Sequence, residues 1–401
     1  MTAIQKGSIG ILPPGALGVG FFYHLTRELA QLDEDTFFIE RRHSKSAASL
    51  RESGQIAIAT PEGIHNIACD RFLKPDLLTC CESGDLPEIV LVCTNPDQIL
   101  DVITGIVELS VRLHDAGQLL QPEPPLPLFI LCANGIYFQR FRQIFVEKIE
   151  EAILFGRLPE LWPDAMPKVV CRLLRGITIQ TGLREGGGAR TLYRPGPKGQ
   201  TRIAGGDART RQRCLEILAE DRNGWFEQAP YSSATRLEFD KALINLTSNL
   251  LGQICAIDDR GEFTPLNAGQ VLESAPAEEI RELLHRVFRV GQMVRAYDLR
   301  EDFEVIFQEA IATVAAHGTH TPSSIQWVEM NLRRGTLKPE ITPTESWLLE
   351  PLIRYARASG LEETAAYFQT LKERLTTKLQ RLARRQEETT SQFFTKKGDK
   401  S

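Results

Sequence analysis

The stretch Ser8-Ile9-Gly10-Ile11-Leu12-Pro13-Pro14-Gly15-Ala16-Leu17-Gly18 decides how the first half of the chain folds. Its apolar run, residues 8–12, leads directly into a turn rich in proline and glycine. Apolar residues at helical spacing follow over residues 19–32, which predicts an amphipathic helix. A second apolar run, residues 36–39, ends in the charged segment 40–45. Strand, glycine turn, helix and strand in this order predict a βαβ unit of the dinucleotide-binding type.

The glycine turn supplies the chemistry of such a unit. Glycines let the backbone approach a pyrophosphate at the N-terminus of the helix, where free amides and the helix dipole attract anions. We therefore predict that Gly15, Ala16, Leu17 and Gly18 bind a dinucleotide. Pro13 stands where the GxGxxG fingerprint has its first glycine, and proline has no amide hydrogen to donate. A strand–helix turn that binds no nucleotide is the alternative.

Charged residues follow the second apolar run. An acidic residue at this point holds the ribose hydroxyls of NAD, whereas arginines pair with the 2′-phosphate of NADP. Both kinds occur here, because Glu40 is followed by Arg41, Arg42 and Lys45. The basic residues outnumber the acidic one, so the sequence favours NADP(H).

Two further apolar runs, residues 88–94 and 128–133, have the continuous apolar pattern of strands buried in a parallel sheet. They are followed by Asn95 and Asn134. In open parallel sheets, ligands bind beyond the carboxyl ends of the strands. We therefore expect Gly15, Asn95 and Asn134 to lie at one ligand-binding edge.

The second half of the chain reads as a series of helices. One of them, residues 237–256, carries Lys241, Asn245 and Asn249 at intervals of four residues, which places them along one stripe. A lysine on a largely apolar helix must either extend its ammonium to water or meet partners in a ligand site. A polar stripe that faces water is the alternative to a functional site.

The predicted fold class is α/β, with a Rossmann-type NADP-binding domain followed by an all-helical domain. We place the first domain at residues 1–225 and the helical substrate and catalytic domain at 226–385. Residues 386–401 are polar, which predicts a disordered tail. The last predicted helix, residues 362–385, either packs on the second domain or forms a homodimer interface.

Composition excludes several classes of protein. The chain has 401 residues, of which 42% are hydrophobic and 25% charged, as in soluble globular proteins. Its 47 basic and 52 acidic residues give a net charge of −5, which argues against general binding to nucleic acid or anionic membranes. No apolar run reaches the roughly 18 residues of a membrane helix. The eight cysteines are scattered and no targeting segment is recognisable, so we expect reduced thiols, a cytoplasmic location and no metal site.

With these residues in order, the chain resembles the ketopantoate reductase family (2-dehydropantoate 2-reductases) over most of its length. The turn Gly15-Ala16-Leu17-Gly18 matches the glycine turn of the family. Arg41 falls where the family keeps an arginine associated with NADP preference. Asn134-Gly135 matches an Asn-Gly pair after a core strand, whose asparagine lies near the nicotinamide and the substrate. The resemblance therefore implies NADP(H) as cofactor, with Asn95 and Asn134 beside it.

The resemblance also covers the second half, where it implies a helical domain like the C-terminal domain of 6-phosphogluconate dehydrogenase. Lys241 matches the general acid of the family. Asn245 and Asn249 match asparagines that hold hydroxyl or carboxylate groups of the substrate, and Ser324 matches a serine that contacts its carboxylate. Glu345 sits about where the family has a glutamate, and would orient the lysine or a substrate hydroxyl.

The chain departs from the family pattern at several places, including about four extra residues between Ser323-Ser324 and Thr344. Pro13 replaces the first glycine, Asn95 replaces a lysine near cofactor and substrate, and Glu350-Pro351 replaces an Asn-Gly pair. These differences concern the ligand pockets, so they bear on the substrate more than on the fold.

The function implied by the resemblance is the NADPH-dependent reduction of a 2-oxo acid to a 2-hydroxy acid, as in pantothenate biosynthesis. In this reaction NADPH supplies a hydride and Lys241 donates a proton to the carbonyl oxygen. The protein would bind a small keto acid as its substrate, and we expect it to bind neither nucleic acid nor a membrane. Two alternatives stay open: the same fold acting on another, larger keto acid, and a non-catalytic nucleotide-binding protein.

Overall fold

The computed structural model describes residues 4–32, 35–40, 45–158, 166–179, 182–187, 190–219 and 225–398. The contacts divide the chain into two compact units, Met1–Ala234 and Thr235–Ser401. From the sequence we place this division earlier, after residue 225. The structure differs because residues 226–228 form a strand that pairs with residues 201–203 in the first unit.

All described strands belong to the first unit. In chain order they are β1 Ile4–Leu12, β2 Thr36–Ile39, β3 Gln55–Thr60, β4 Gly63–Ala68, β5 Leu73–Lys74, β6 Leu86–Val92, β7 Leu128–Leu131, β8 Leu173–Thr178, β9 Gly182–Glu185, β10 Leu192–Pro195, β11 Thr201–Gly205 and β12 Phe226–Gln228.

The helices alternate with these strands and then continue alone. In chain order they are α1 Ala16–Leu25, α2 Lys45–Ser53, α3 Cys69–Phe72, α4 Leu77–Ser83, α5 Ile99–Asp115, α6 Phe138–Leu154, α7 Ala208–Ala219, α8 Ala234–Asn245, α9 Gly252–Ala256, α10 Ala268–Ser274, α11 Ala277–Met293, α12 Phe303–Ala316, α13 Ser323–Arg334, α14 Pro343–Ala358 and α15 Glu362–Gly398. A 3-10 turn, Pro96–Gln98, and two π-helical segments, Met166–Val170 and Leu246–Leu251, complete the helical structure.

The main sheet has the strand order β12-β11-β8-β7-β6-β1-β2-β5. The central strands β7, β6, β1 and β2 are parallel, while β11 runs antiparallel to β8. From β1 the chain crosses through α1 to β2 on one side, and from β6 it crosses through α5 to β7 on the other. The strand order therefore changes direction between β1 and β6, which is where ligands bind in open α/β sheets.

Each face of the main sheet is covered by a hydrophobic core. On one face, the ring of Phe22 on α1 stacks on Phe38 of β2, with centroids 4.5 Å apart. On the other face, Phe141 and Phe145 of α6 are fully buried against α5 and β7. Burial of each such side chain contributes about 1.5–3 kcal/mol. The alternation of apolar strands with helices therefore predicts this part of the fold correctly.

A smaller sheet, with strand order β4-β3-β10-β9, lies against α1. Its contact with the helix is close, because a Cβ atom at Gly182 would lie 2.5 Å from the carbonyl oxygen of Ala16. Strand β3 pairs in parallel with β10, so that Ala57 is opposite Leu192. The sequence analysis does not predict this pairing.

The second unit is helical, which together with the parallel sheet of the first unit confirms the predicted fold class. A disordered tail is predicted for residues 386–401; α15 continues to Gly398, and residues 399–401 lie outside the described residues. Glu387 and Glu388 extend the helical pattern of charged residues beyond Arg385, and nothing in residues 386–398 breaks a helix. Within the described ranges, no helix has the length and apolar character needed to cross a membrane.

Candidate functional site

The turn after β1 brings the first-unit candidates together. The amide of Gly15 donates to the carbonyl oxygen of Pro13 at 2.8 Å, which tightens the turn without the first glycine of the fingerprint. Gly18 then packs directly beneath it, because a Cβ atom at this position would lie 2.4 Å from the oxygen of Pro13. Gly18 thus fulfils the role of the third fingerprint glycine, which is close packing of helix and strand.

The N-terminus of α1 fits an anionic group of a dinucleotide. Gly15 is the N-cap, and it has no side chain to cap the first-turn amides of Ala16, Leu17 and Gly18. The space beside Gly15 is open, since an added Cβ atom would meet no atom within 4 Å. A glycine at the N-terminus of a ten-residue helix, at the switch point of the sheet, has the donor set that a pyrophosphate requires.

Asn95 and Asn134 lie at the same edge as this turn. Asn95 follows β6 and Asn134 follows β7, and β6 lies between β7 and β1 in the parallel part of the sheet. Both asparagines are exposed. The structure therefore places Gly15, Asn95 and Asn134 at the carboxyl ends of three adjacent strands, as expected from the sequence.

The residues after β2 are only partly described. Glu40 is 2% exposed, and neither carboxylate oxygen has a hydrogen-bond partner in the described chain. Arg51 lies beside it, with Nε 3.4 Å from Oε2. Burial raises the pKa of Glu40, although the charge of Arg51 opposes this shift. Arg41 and Arg42, on which the NADP prediction depends, lie outside the described residues.

The second-unit candidates begin on α8. Lys241 keeps some accessible surface, but burial of its ammonium lowers its pKa to about 8. Asn245, one turn later, is 4% exposed, and Asn249 is 6% exposed. The three side chains thus belong to a largely buried part of the helix, which contradicts the alternative of a stripe that faces water.

The helix changes geometry between Asn245 and Asn249. Residues 246–251 are π-helical, so that this part of the helix is wound more loosely than the α-helix on either side. The carboxamide oxygen of Asn249 lies 3.5 Å from the backbone nitrogen of Ser324, at the start of α13. The π-helical segment therefore turns Asn249 away from a simple four-residue stripe and towards Ser324.

Glu345 is the centre of a buried polar cluster. It is 0% exposed, and its carboxylate accepts hydrogen bonds from the hydroxyl groups of Ser324 and Thr342. Burial raises its pKa to about 7, while hydrogen bonds from Ser324 and Gln253 oppose the shift. A carboxyl with this pKa exchanges its proton near neutral pH.

This arrangement adds partners to Glu345 that the resemblance does not imply, and its role towards Lys241 or a substrate hydroxyl stays a prediction. The resemblance makes it orient Lys241 or a substrate hydroxyl, whereas its partners in the described chain are Ser324, Thr342 and Gln253. Full burial is the physical reason, because a carboxylate without accessible surface satisfies its lone pairs from nearby donors. Its direct effect is to fix the hydroxyl of Ser324.

Three residues near these candidates were not singled out from the sequence. Gln253 continues the four-residue series of Lys241, Asn245 and Asn249, and this spacing could have identified it. Thr342 precedes Glu345 by three residues, which is the spacing of a helix capping box. His320 has a lowered pKa, caused first by burial and then by the charges of His317 and Lys241. No sequence pattern links His320 to the lysine.

No cluster of three potential metal ligands occurs among the described residues. All eight cysteines are free thiols. Burial raises the pKa of Cys80 to about 12, so this thiol is inert at neutral pH.

Solved structures share this fold, although no protein-family model and no curated protein matches the sequence. D-mandelate dehydrogenase with NADH and anilino(oxo)acetate superposes with a TM-score of 0.61 at 15% identity, over 94% of this chain and 99% of that chain. 2-Dehydropantoate 2-reductase from Methylococcus capsulatus gives a TM-score of 0.53 at 14% identity, over 92% and 97%.

Ketopantoate reductase from Staphylococcus aureus, described as dimeric, gives a TM-score of 0.52 at 16% identity, over 93% and 99% of the two chains. Identities this low establish the fold alone. The protein therefore has the fold of the ketopantoate reductases, and the resemblance identified in its sequence is confirmed at the level of the fold.

Proposed function

We propose that the protein reduces a 2-oxo acid to the corresponding 2-hydroxy acid with NADPH. The observation that carries this proposal is Lys241, whose pKa is lowered to about 8 by burial and which is followed on its helix by buried Asn245 and Asn249. An acid with a pKa near the working pH transfers its proton efficiently. Similar structures include enzymes named for 2-hydroxy acid and 2-oxo acid chemistry, which supports the same reaction class.

The dinucleotide would be held by the first unit. The amides of Ala16, Leu17 and Gly18 would bind the pyrophosphate, and Asn95 and Asn134 would contact the nicotinamide half. When bound, NADPH supplies the hydride for the carbonyl carbon. Arg41 would pair with the 2′-phosphate, so the preference for NADPH depends on this residue.

The substrate would be held by the second unit. Lys241 would donate a hydrogen bond and then its proton to the carbonyl oxygen, and its charge would stabilise the alkoxide that forms. Asn245 and Asn249 would bind hydroxyl or carboxylate oxygens. Ser324 would contact the carboxylate, and its hydroxyl, which donates to the ionised form of Glu345, can donate to the substrate when Glu345 is protonated.

The substrate is proposed as ketopantoate or another 2-oxo acid. One similar structure is named a D-mandelate dehydrogenase, and mandelate carries an aromatic ring on the 2-hydroxy acid. A substrate panel should therefore contain ketopantoate and aryl 2-oxo acids. Turnover of aryl acids but not of ketopantoate would support the alternative in which the same fold acts on another, larger keto acid.

The test starts with fluorescence titrations of NADPH and NADH. NADPH should bind about 10- to 100-fold more tightly than NADH, because Arg41 makes charge-assisted contacts with the 2′-phosphate. Arg41→Ala should remove these contacts and the difference in affinity. Tighter binding of NADH, lost in Glu40→Gln, would instead show that the acidic residue holds the ribose. Absence of saturable binding of either dinucleotide would refute the enzymatic proposal.

The second step measures turnover of the 2-oxo acid. Lys241→Ala should lower kcat by at least about 100-fold, and wild-type reduction should slow above about pH 8 as Lys241 loses its proton. Lys338 is an exposed lysine of the same unit, so Lys338→Ala is the matched control and should retain full activity. A loss below about 100-fold in Lys241→Ala would exclude this residue as the general acid.

A further inference from the structure

Arg175 is a fully buried arginine next to the turn that carries Asn134. It lies on β8, which is parallel to β7, and it is opposite Leu131, the last residue of β7. Its side chain has no exposed area. A guanidinium remains charged under all conditions of activity, so it requires hydrogen-bond acceptors wherever it is buried.

The carbonyl groups around Asn134 provide these acceptors. The Nη2 atom of Arg175 donates to the oxygen of Ala133 at 2.7 Å and to that of Gly135 at 3.2 Å. Its Nη1 atom donates to the oxygen of Leu131. The guanidinium therefore binds the carbonyl groups of the two residues that flank Asn134 and joins them to the end of β7.

The turn is also fixed from its other side. The ring of Tyr137 lies over the guanidinium, 4.7 Å from it, and Tyr137 is 2% exposed. Gly135 has a φ angle of +122°, a conformation that residues with side chains rarely adopt. Ala133 and Ile136 are buried, whereas Asn134 itself is exposed. The turn is thus fixed on both sides, and Asn134 is its exposed polar side chain.

We propose that Arg175 is the positioning residue for Asn134, and that it sets the location of the Asn134 carboxamide relative to the nicotinamide and the substrate. The proposal rests on the proposed function, in which Asn134 contacts these ligands. Arginine is required because its planar fork reaches Ala133, Gly135 and Leu131 together, whereas the ammonium of a lysine is a single point. A misplacement of about 1 Å in such a group lowers turnover up to about 100-fold.

Arg172, in the turn immediately before β8, provides a control. Its guanidinium also donates to backbone carbonyl groups, those of Leu126 and, at 3.3 Å, of Pro124. These residues precede β7, at the opposite end of the strand from Asn134. The two arginines thus have the same chemistry and differ in which end of β7 they hold.

The experiment compares Arg175→Lys with Arg172→Lys in the full-length protein. We expect Arg175→Lys to lower kcat by about 10- to 100-fold while the Kd for the dinucleotide stays near that of the wild type. Arg172→Lys should retain the wild-type kcat. Equal losses of kcat in both variants, or a wild-type kcat in Arg175→Lys, would overturn the proposal.

Amide hydrogen exchange, followed by mass spectrometry, gives a readout that does not require activity. Arg175→Lys should accelerate exchange at residues 132–137, and Arg172→Lys at Leu126, Leu128 and Phe129, which carry the amide hydrogens of the segment 124–129. Gly135→Ala strains the same turn without changing the guanidinium, so it should reproduce the loss of kcat. Unchanged exchange at residues 132–137 in Arg175→Lys would refute the proposal that Arg175 holds the turn around Asn134. If the wild type is inactive but Arg175→Lys still accelerates exchange at residues 132–137, the proposed function is refuted, while the role of Arg175 in holding the turn around Asn134 is supported.

Discussion

Arg175 in the first unit and Glu345 in the second are both fully buried ionisable side chains, but their surroundings differ. Arg175 donates to backbone carbonyl groups, including those of Ala133 and Gly135. Glu345 accepts from two hydroxyl groups, those of Ser324 and Thr342. An arginine cannot lose its charge, so its acceptors must be in place when the chain folds. A glutamate can take up a proton instead.

The raised pKa of Glu345 indicates that this carboxyl takes up a proton near neutral pH. A value of about 7 means that the hydroxyl donors only partly offset the loss of water around the carboxylate. The comparison teaches that equal burial produces a permanent charge at one site and a titrating group at the other. The first should behave as a structural clamp at any pH, and the second should respond to pH near neutrality.

The largest expected effect is on stability, in Arg175→Met. Methionine fills similar space but leaves the carbonyl groups of Ala133, Gly135 and Leu131 with fewer donors, so the free energy of unfolding should fall by at least about 3 kcal/mol. Glu345→Gln retains an oxygen acceptor and should cost about 1 kcal/mol near pH 5, where the wild-type carboxyl is protonated. Urea titrations of both variants measure this difference. Equal losses would break the distinction between the two sites.

The second effect is the pH dependence of stability that Glu345 produces. Its pKa is about 7 in the folded protein, above the ordinary 4.5, so the folded state binds more protons between these values. Stability from this group is therefore complete below about pH 4.5 and is lost as pH rises through about 7, by a total of about 3 kcal/mol. Glu345→Gln should abolish this loss. Urea titrations at about pH 5 and about pH 8 test it, and the same slope in both proteins would contradict it.

The comparison also shows how far the sequence can predict the fold. The apolar runs that form β1, β6 and β7, and the turn at Gly15–Gly18, carry local patterns that identify a parallel sheet and its ligand-binding edge. The pairing of Ala57 with Leu192 in the smaller sheet joins distant parts of the chain. No local periodicity encodes such a partner, which is why the second sheet is absent from the prediction.

The residues of the candidate site also fall into those that a local sequence pattern identifies and those that it does not. Lys241, Asn245 and Asn249 were found because helical spacing places them on neighbouring turns, and Gln253 continues that spacing. Arg175 could not be assigned, since its acceptors are backbone carbonyl groups, which every residue has. The role of a buried cation is therefore set by the fold around it and not by a motif.

Glu345 illustrates an intermediate case. Its position is identified from the resemblance, but Ser324 and Gln253 are not identified as its partners, because they reach it only after α13 and α9 pack together with α14. The spacing between Thr342 and Glu345 does suggest a helix start, and the helix begins at Pro343. The sequence thus indicates the helix correctly, whereas the role of Glu345 towards Lys241 or a substrate hydroxyl stays a prediction.

The smallest expected effect concerns the hydroxyl donors of Glu345. Ser324→Ala removes a hydrogen bond that favours the charged carboxylate, so it should raise the pKa of Glu345 further. The free energy of unfolding should fall by about 1 kcal/mol near pH 8, and by less near pH 5, where the carboxyl is neutral. Ser323→Ala, at the neighbouring position of α13, is the control and should show no such difference between the two pH values. If Ser324→Ala loses the same stability at both pH values, the hydroxyl stabilises the packing of α13 and not the charge of Glu345. Glu345 and Arg175 would then differ only in the number of their hydrogen bonds.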